Sequence, residues 1–208
     1  MNCDPIARWY RWLEYGAFGG ALMRRRVAFL LDVVDAHRVF VVGDGDGRFL
    51  ALLVEQNRGA SIDYLDASVR MLELARDRVA GADVNFQHGN VLTAKLPQAR
   101  YDLIVTNFLL DCFDREDMQR VVRRLASLTS KGSRWLIAEF RERPSGLRRL
   151  WTRAWLAVLY TFFRWTTGLE VRRLVDHRPF LEACGFRLSR TESDWFGLLV
   201  SELWERYD

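Results

Sequence analysis

Three glycines at alternate positions, Gly43, Gly45 and Gly47, follow directly on a short apolar run, Val39 to Val42. Glycine accepts positive φ and lets a ligand touch bare backbone. A strand that ends in such a turn and leads at once into a helix-compatible segment, here Phe49 to Glu55, is a recurrent cofactor cradle. The spacing is G-x-G-x-G. The dinucleotide fingerprint puts its third glycine at position 48, which is Arg48. The loop therefore points away from NAD and towards a nucleoside cofactor without a pyrophosphate.

Three further polar positions fall at the ends of apolar runs. Asp66 stands 19 residues after Gly47, where an acid can accept bonds from both ribose hydroxyls. It can equally be a helix N-cap, a role open also to Ser68. Asn90, in Gly89-Asn90-Val91, can meet an adenine edge or serve as a turn residue. Asn107, in Thr106-Asn107-Phe108, sits where open α/β sheets bind ligands. Asp111 and His88 are the candidate general bases nearby. Each also has a plain structural reading: Asp111 caps or orients the helix beginning near Asp114, and His88 closes a strand.

The elements that must hold these residues alternate. Strands are expected at Val39–Val42, Ser61–Leu65, Asp83–Gln87, Tyr101–Thr106 and Ser133–Phe140, the last after a Lys131-Gly132 turn. Helices are expected up to about Gln56, at Ser68–Val79 and at Asp114–Ser127, where Met118, Val121, Val122 and Leu125 recur at helical spacing. This β-α-β order implies an α/β domain, a mostly parallel sheet with helices on both faces. Residues 1–36 read as an N-terminal helical cover broken at Gly16–Gly20. A short helix, His177–Cys184, precedes two final strands, Phe186–Thr191 and Phe196–Trp204. A short turn joins these strands, so they must pair antiparallel.

At 208 residues the chain suits one domain, residues 1–208, and half of it is apolar, which excludes disorder. The net charge of +4 permits an anionic partner without requiring one. Three widely spaced cysteines, with no C-x-x-C pair, fit a reducing cytoplasm. Three scattered histidines argue against a structural metal. The N-terminus carries no signal-peptide pattern. The longest apolar run, Trp155 to Phe163, falls short of the about 20 residues of a membrane span.

The segments Val-Val-Gly-Asp-Gly-Asp-Gly-Arg-Phe, Leu-Asp-Ala-Ser-Val-Arg-Met-Leu-Glu-Leu-Ala-Arg, Gly-Asn-Val and Tyr-Asp-Leu-Ile-Val-Thr-Asn-Phe-Leu-Leu together resemble the class I SAM-dependent methyltransferases. The likeness runs from His37 to the end of the chain. Within the family it is greatest to the small-molecule branch that includes ubiquinone and menaquinone biosynthesis methyltransferases. The resemblance implies a Rossmann-like sheet of seven strands with an antiparallel C-terminal strand. It also implies S-adenosyl-L-methionine (SAM) as cofactor and S-adenosyl-L-homocysteine (SAH) as product. Residue by residue, Gly43, Gly45 and Gly47 would pass the methionine and ribose, and Asp66 would hold the ribose hydroxyls. Ala67 and Met71 would line the adenine, and Asn90 and Val91 would bind its edge and face. Asn107 would face the methionine, and Tyr10 would close over the cofactor. The family's acid two residues before the first glycine is Val41 here; Asp44 or Asp46 are its expected substitutes. Asn90 replaces the commoner Asp, and an amide can both donate and accept.

Methyl transfer from a sulfonium needs alignment and exclusion of water more than an acid–base pair. The family's lid segment corresponds to residues 141–175. It holds an arginine-flanked aromatic stripe containing Leu147, Trp151, Trp155 and Phe162. That stripe suits a helix packed on the domain or in a homodimer. It equally suits an apolar pocket wall or an interfacial helix at a membrane surface. The expected substrate is a small, largely apolar molecule, aromatic or lipid-like. Nucleic acid ranks lower, because acidic residues nearly match basic ones. The rival class is a non-catalytic or repurposed SAM- or SAH-binding protein. A nicotinamide oxidoreductase ranks third, disfavoured by Arg48 and the closing hairpin.

Overall fold

The computed structural model describes residues 18–141, 174–194 and 197–208. Seven strands form one sheet: β1 (Arg38–Val42), β2 (Ser61–Asp66), β3 (Val84–His88), β4 (Tyr101–Asn107), β5 (Thr129–Phe140), β6 (Phe186–Asp194) and β7 (Leu199–Arg206). Their order is β3-β2-β1-β4-β5-β7-β6. The first five pair in parallel, and β7 lies antiparallel between β5 and β6. The expected antiparallel closing pair is therefore present.

Period-2 alternation splits the core into two layers. Val39 and Val41 of β1 face one side, with Phe49, Leu53, Leu72 and Leu103. Phe40 and Val42 face the other, with Met118, Val122, Leu125 and Trp204. The first layer is covered by α2 (Arg48–Gln56) and α3 (Val69–Arg78), the second by α4 (Arg115–Ala126) and α5 (Arg178–Glu182). Helices thus sit on both faces, as the alternation required. Caps explain two helix starts. Ser68 Oγ accepts from Met71 N at 3.1 Å, and Asp114 Oδ1 accepts from Asp117 N at 2.9 Å.

Upstream of β1, the helix α1 (Ala21–Val27) packs against the closing strands, and a single 3-10 turn, Leu30–Val33, leads into the sheet. Of the expected N-terminal cover, residues 1–17 lie outside the described part, as do 142–173 of the expected lid. β5 begins four residues before the expected Ser133. The Lys131-Gly132 turn is an irregularity inside the strand rather than its boundary: Gly132 takes φ +83°, and Ser133 Oγ accepts from Ser130 N at 2.9 Å. No helix among the described residues is long and apolar enough to cross a membrane.

Candidate cofactor site

The sheet order makes β1 and β4 neighbours, although β2 and β3 intervene in sequence. Crossovers on either side of this junction diverge and leave a crevice at the carboxyl ends of the strands. The glycine loop leaves β1 there, and Asn107 ends β4 there. Gly43, Gly45 and Gly47 all take positive φ, between +68° and +75°. Each does a different job. A Cβ on Gly43 would stand 2.6 Å from Leu109 Cδ1. One on Gly47 would stand 2.7 Å from the Ala75 backbone, so this glycine lets α2 approach α3. In front of Gly45 the nearest atom is Met71 Sδ at 4.0 Å, which leaves bare backbone open to a ligand. Tyr64 Oη donates to the Gly45 carbonyl at 2.8 Å and fixes the loop from below.

A cleft opens over this loop. Nine of the predicted cofactor residues line it: Gly43, Asp44, Gly45, Asp66, Ala67, Met71, Asn90, Val91 and Asn107. Asp66 accepts from Gly45 N at 3.2 Å through Oδ2 and from Ser68 N at 2.8 Å through Oδ1. Ser68, not Asp66, supplies the side-chain cap of α3. Asn90 Oδ1 accepts from Leu92 N at 2.9 Å and shapes the turn after β3.

Asp44 is buried at the N-terminus of α2. Its Oδ2 accepts from Leu50 N at 3.4 Å, and its Oδ1 accepts from Asn107 Nδ2 at 3.1 Å. Burial pushes its carboxyl up to about 6, against the opposing pull of Arg26 and the Asn107 bond. An ionised carboxylate can only accept, so Asn107 must turn its NH2 towards it. Asn107 Oδ1 is left buried with no hydrogen-bond partner among the described residues.

Several expected positions are corrected. Asp46 is held away from the cleft: Arg48 Nε donates to Oδ1 at 2.9 Å and Arg78 NH2 to Oδ2 at 3.0 Å, while Arg78 Nε holds its carbonyl at 2.7 Å. That clamp makes it a brace of the loop, and it does not line the cleft. Gly47 is used in helix packing, as above, and does not line the cleft. His88 is exposed at the end of the edge strand β3, its Nε2 3.2 Å from the Ala67 carbonyl, outside the lining. Asp111 is buried behind the lining, against Glu139 and Cys112. Tyr10 lies outside the described residues.

Asp111 and Glu139 form a buried carboxyl pair. Burial raises Asp111 to about 6, and burial together with the Asp111 charge pushes Glu139 well above its ordinary value. Glu139 accepts from Leu109 N at 3.0 Å and Leu110 N at 2.7 Å, so it ties down the turn after β4. Cys112 Sγ donates to Asp111 Oδ1 at 3.6 Å and itself lines the cleft.

The sequence reading missed Arg26, Ser68, Phe108, Leu109, Cys112 and Phe113, all in the lining. Phe108 takes φ +54°, which tips its side chain out of the strand alternation. Arg26 carries one legible signal. It stands four residues after buried Leu22, on the inward face of α1.

A family model described as a methyltransferase domain matches residues 39–132, the stretch from β1 into β5. Over that stretch the chain is similar to a methyltransferase domain. An uncharacterized methyltransferase of Mycobacterium tuberculosis is 32% identical over 120 residues, 57% of this chain and 58% of that protein. The chain thus spans less than two thirds of this curated relative. Among solved structures, the mitomycin 7-O-methyltransferase MmcR superposes with a TM-score of 0.70 at 20% identity, covering 99% of this chain and 61% of that one. The N-methyltransferase NodS from Bradyrhizobium japonicum, in complex with SAH, gives 0.65 at 14% identity, covering 90% and 88%. These likenesses show the fold. SAM is the cofactor of this domain family, and the cleft fits it on two counts. Gly45 offers bare backbone, and Asn107 Oδ1 is a buried acceptor awaiting a donor.

Proposed function

We propose that this chain binds SAM in the cleft and transfers its methyl group to a small, largely apolar acceptor. The observation that carries the reading is the shared lining. Asp66, Met71, Asn90 and Val91 line one cleft with Gly45, Asp44 and Asn107; Asp66 bonds to Gly45 N, and Asn107 bonds to Asp44. In this reading Asp66 holds the ribose hydroxyls, exchanging its present bonds to Gly45 N and Ser68 N. Met71 and Val91 flank the adenine, and Asn90 meets its edge. Asp44 replaces the acid missing at Val41, with Asn107 Oδ1 as the second acceptor for the ammonium. Val41 itself is buried in the hydrophobic layer under α2 and has no route to a ligand.

When bound, the cofactor supplies a methyl on a positively charged sulfur, an electrophile with a good leaving group. The chain has then to align and to exclude water. Phe108, Leu109 and Phe113, half-buried in the cleft wall, are the side chains suited to that task and support an apolar acceptor. Asp111 does not touch the cleft, so it acts on an acceptor proton only through Cys112. Homodimer and membrane contacts would rest on residues 145–165, outside the described part.

Calorimetry with SAM, SAH and NAD tests the reading. Binding of SAM and SAH but not NAD is expected; failure of both at millimolar concentration sinks it. The second reading is a non-catalytic SAM- or SAH-binding protein, favoured by the burial of Asp111 behind the cleft wall. SAM binding with no methyl transfer to any phenolic or lipid extract would select it.

A further inference from the structure

We infer that Cys112 is the cleft-side end of a proton relay, with Asp111 and Glu139 behind it. The relay serves acceptors whose methylated atom carries a proton: an oxygen, nitrogen or sulfur. The inference rests on the cofactor reading above and narrows the kind of acceptor atom.

Three side chains form one path. Cys112 lines the cleft, half-buried, beside Phe108, Leu109 and Phe113. The cleft is a ligand site on separate grounds, because buried Asn107 Oδ1 in the same lining has no hydrogen-bond partner among the described residues. Behind the wall, Asp111 Oδ1 accepts from the Cys112 thiol at 3.6 Å, and the Phe108 carbonyl at 3.9 Å is a second acceptor for that thiol. Glu139, only 1% exposed, hydrogen-bonds to the Asp111 side chain.

The placement is built. Glu139 Oε1 accepts from Leu109 N and Leu110 N, and Oε2 accepts from Asp111 N at 3.4 Å. Phe108 N donates to the Ala138 carbonyl at 2.7 Å. The turn that carries the thiol therefore hangs from β5, with Glu139 as its positioning residue. Two carboxyls buried in contact do not both ionise, so the pair keeps one proton at neutral pH. Glu139 is the one pushed well up; it holds that proton and leaves Asp111 ionised above about pH 6. Among the described residues, Glu139 from β5 and Cys112 from the same turn are the titratable groups that act on Asp111.

The step balances. As the acceptor atom bonds the methyl carbon, the bond from that carbon to the cofactor sulfur breaks and its electron pair stays on the sulfur. The acceptor's proton moves to Cys112 Sγ while the thiol's own proton moves to Asp111. A sulfonium and a carboxylate become a thioether and a neutral acid, so no new ion is left in the buried wall.

Wild type, C112A, C112S and D111N are compared as full-length chains. Iodoacetamide, followed by mass spectrometry, should alkylate Cys112 in the wild type. In D111N it should do so at least about fivefold faster at neutral pH, because the carboxylate no longer holds the thiol proton. Methyl transfer from labelled SAM is then read with a phenolic extract and with thiophenol, which is already ionised at neutral pH. With the phenolic extract the wild-type rate should rise through about pH 6. C112A and D111N should lose at least about tenfold in that rate while SAH affinity stays within about twofold. C112S, whose hydroxyl can pass a proton, should regain part of the loss. With thiophenol the loss should shrink to below about threefold, because that acceptor brings no proton. A Cys112 that resists alkylation, alkylation equally fast in D111N, or equal losses with both acceptors overturns the inference. So does a C112A chain that works on the phenolic extract at the wild-type rate, or a wild type that binds SAM and methylates neither probe. Wild-type chain that binds neither SAM nor SAH defeats the cofactor reading itself.

Discussion

Glu202 on β7 and Asp44 behind β1 are both buried carboxylates in one sheet, and their surroundings differ in kind. Glu202 is saturated with donors. His177 Nε2 lies at 2.8 Å, Arg178 donates through Nε at 3.0 Å and NH2 at 2.6 Å, and Trp204 Nε1 donates at 2.9 Å. Burial alone would raise its pKa, but His177 and Arg178 bring it down to about 2. Asp44 accepts two hydrogen bonds and is pushed up to about 6. Both sites contain arginine. The difference lies in donors within bonding reach: Glu202 has its full set from the protein, and Asp44 does not. A carboxylate that only holds the fold together is satisfied internally. One that is short of donors, next to an amide with an idle oxygen, is arranged for a ligand.

The largest effect should come from breaking the satisfied site. E202A leaves a buried histidine, a buried indole N–H and a half-buried arginine without their shared acceptor. Unfolding stability should fall by about 3 kcal/mol or more, read from urea titration; a loss below about 1 kcal/mol would mean that the knot is ornamental. The linkage has a definite sign. Glu202 stabilises the fold above the ordinary carboxylate range, and that contribution should fade as pH falls towards 2.

Next in size is the ligand-facing end. D66A should weaken SAH binding by at least about tenfold, since it removes a charge-assisted acceptor. Unchanged affinity would refute the ribose role. A smaller effect, but one that bears directly on the comparison, is the pH response of Asp44. Its carboxylate is costly in the empty protein, so stability should drop as pH rises from about 4 to about 6. Affinity for the ammonium-bearing cofactor should rise over the same window and level off above it. D44N should flatten that rise. A wild-type profile flat between pH 4.5 and 7.5 would place the ammonium elsewhere. The smallest effect belongs to H88A, which should leave SAH affinity and turnover unchanged because the ring faces a carbonyl outside the cleft. Loss of turnover alone would return His88 to the chemistry.

Much of the site was legible because the code that writes it is local. An apolar run ending in alternate glycines, an acid after the next strand and an amide after β4 each mark a carboxyl end. A parallel sheet brings those ends to one edge. What escaped was long-range. Asp46 looked like a ligand until Arg78, 32 residues away, closed on it. Asp111 and Glu139 meet only because β4 and β5 pair. Arg26 reaches the cleft because α1 packs on strands more than 100 residues later, and no short motif encodes that. The fold was read more fully than the site. Seven strands and their reversal at the end followed from alternation and one short turn, whereas the order placing β7 inside β6 did not.

That order has a consequence in time. β6 hydrogen-bonds to β7 and to no other strand of the sheet, so it is docked through a partner that comes after it in the chain. During synthesis the earlier strands can zip together as they emerge, each beside one already made. β6 must wait with an open edge until β7 arrives and slots between it and β5. The completing event in assembly is therefore an insertion rather than an addition. Until it happens, both β5 and β6 present free strand edges to any neighbouring chain.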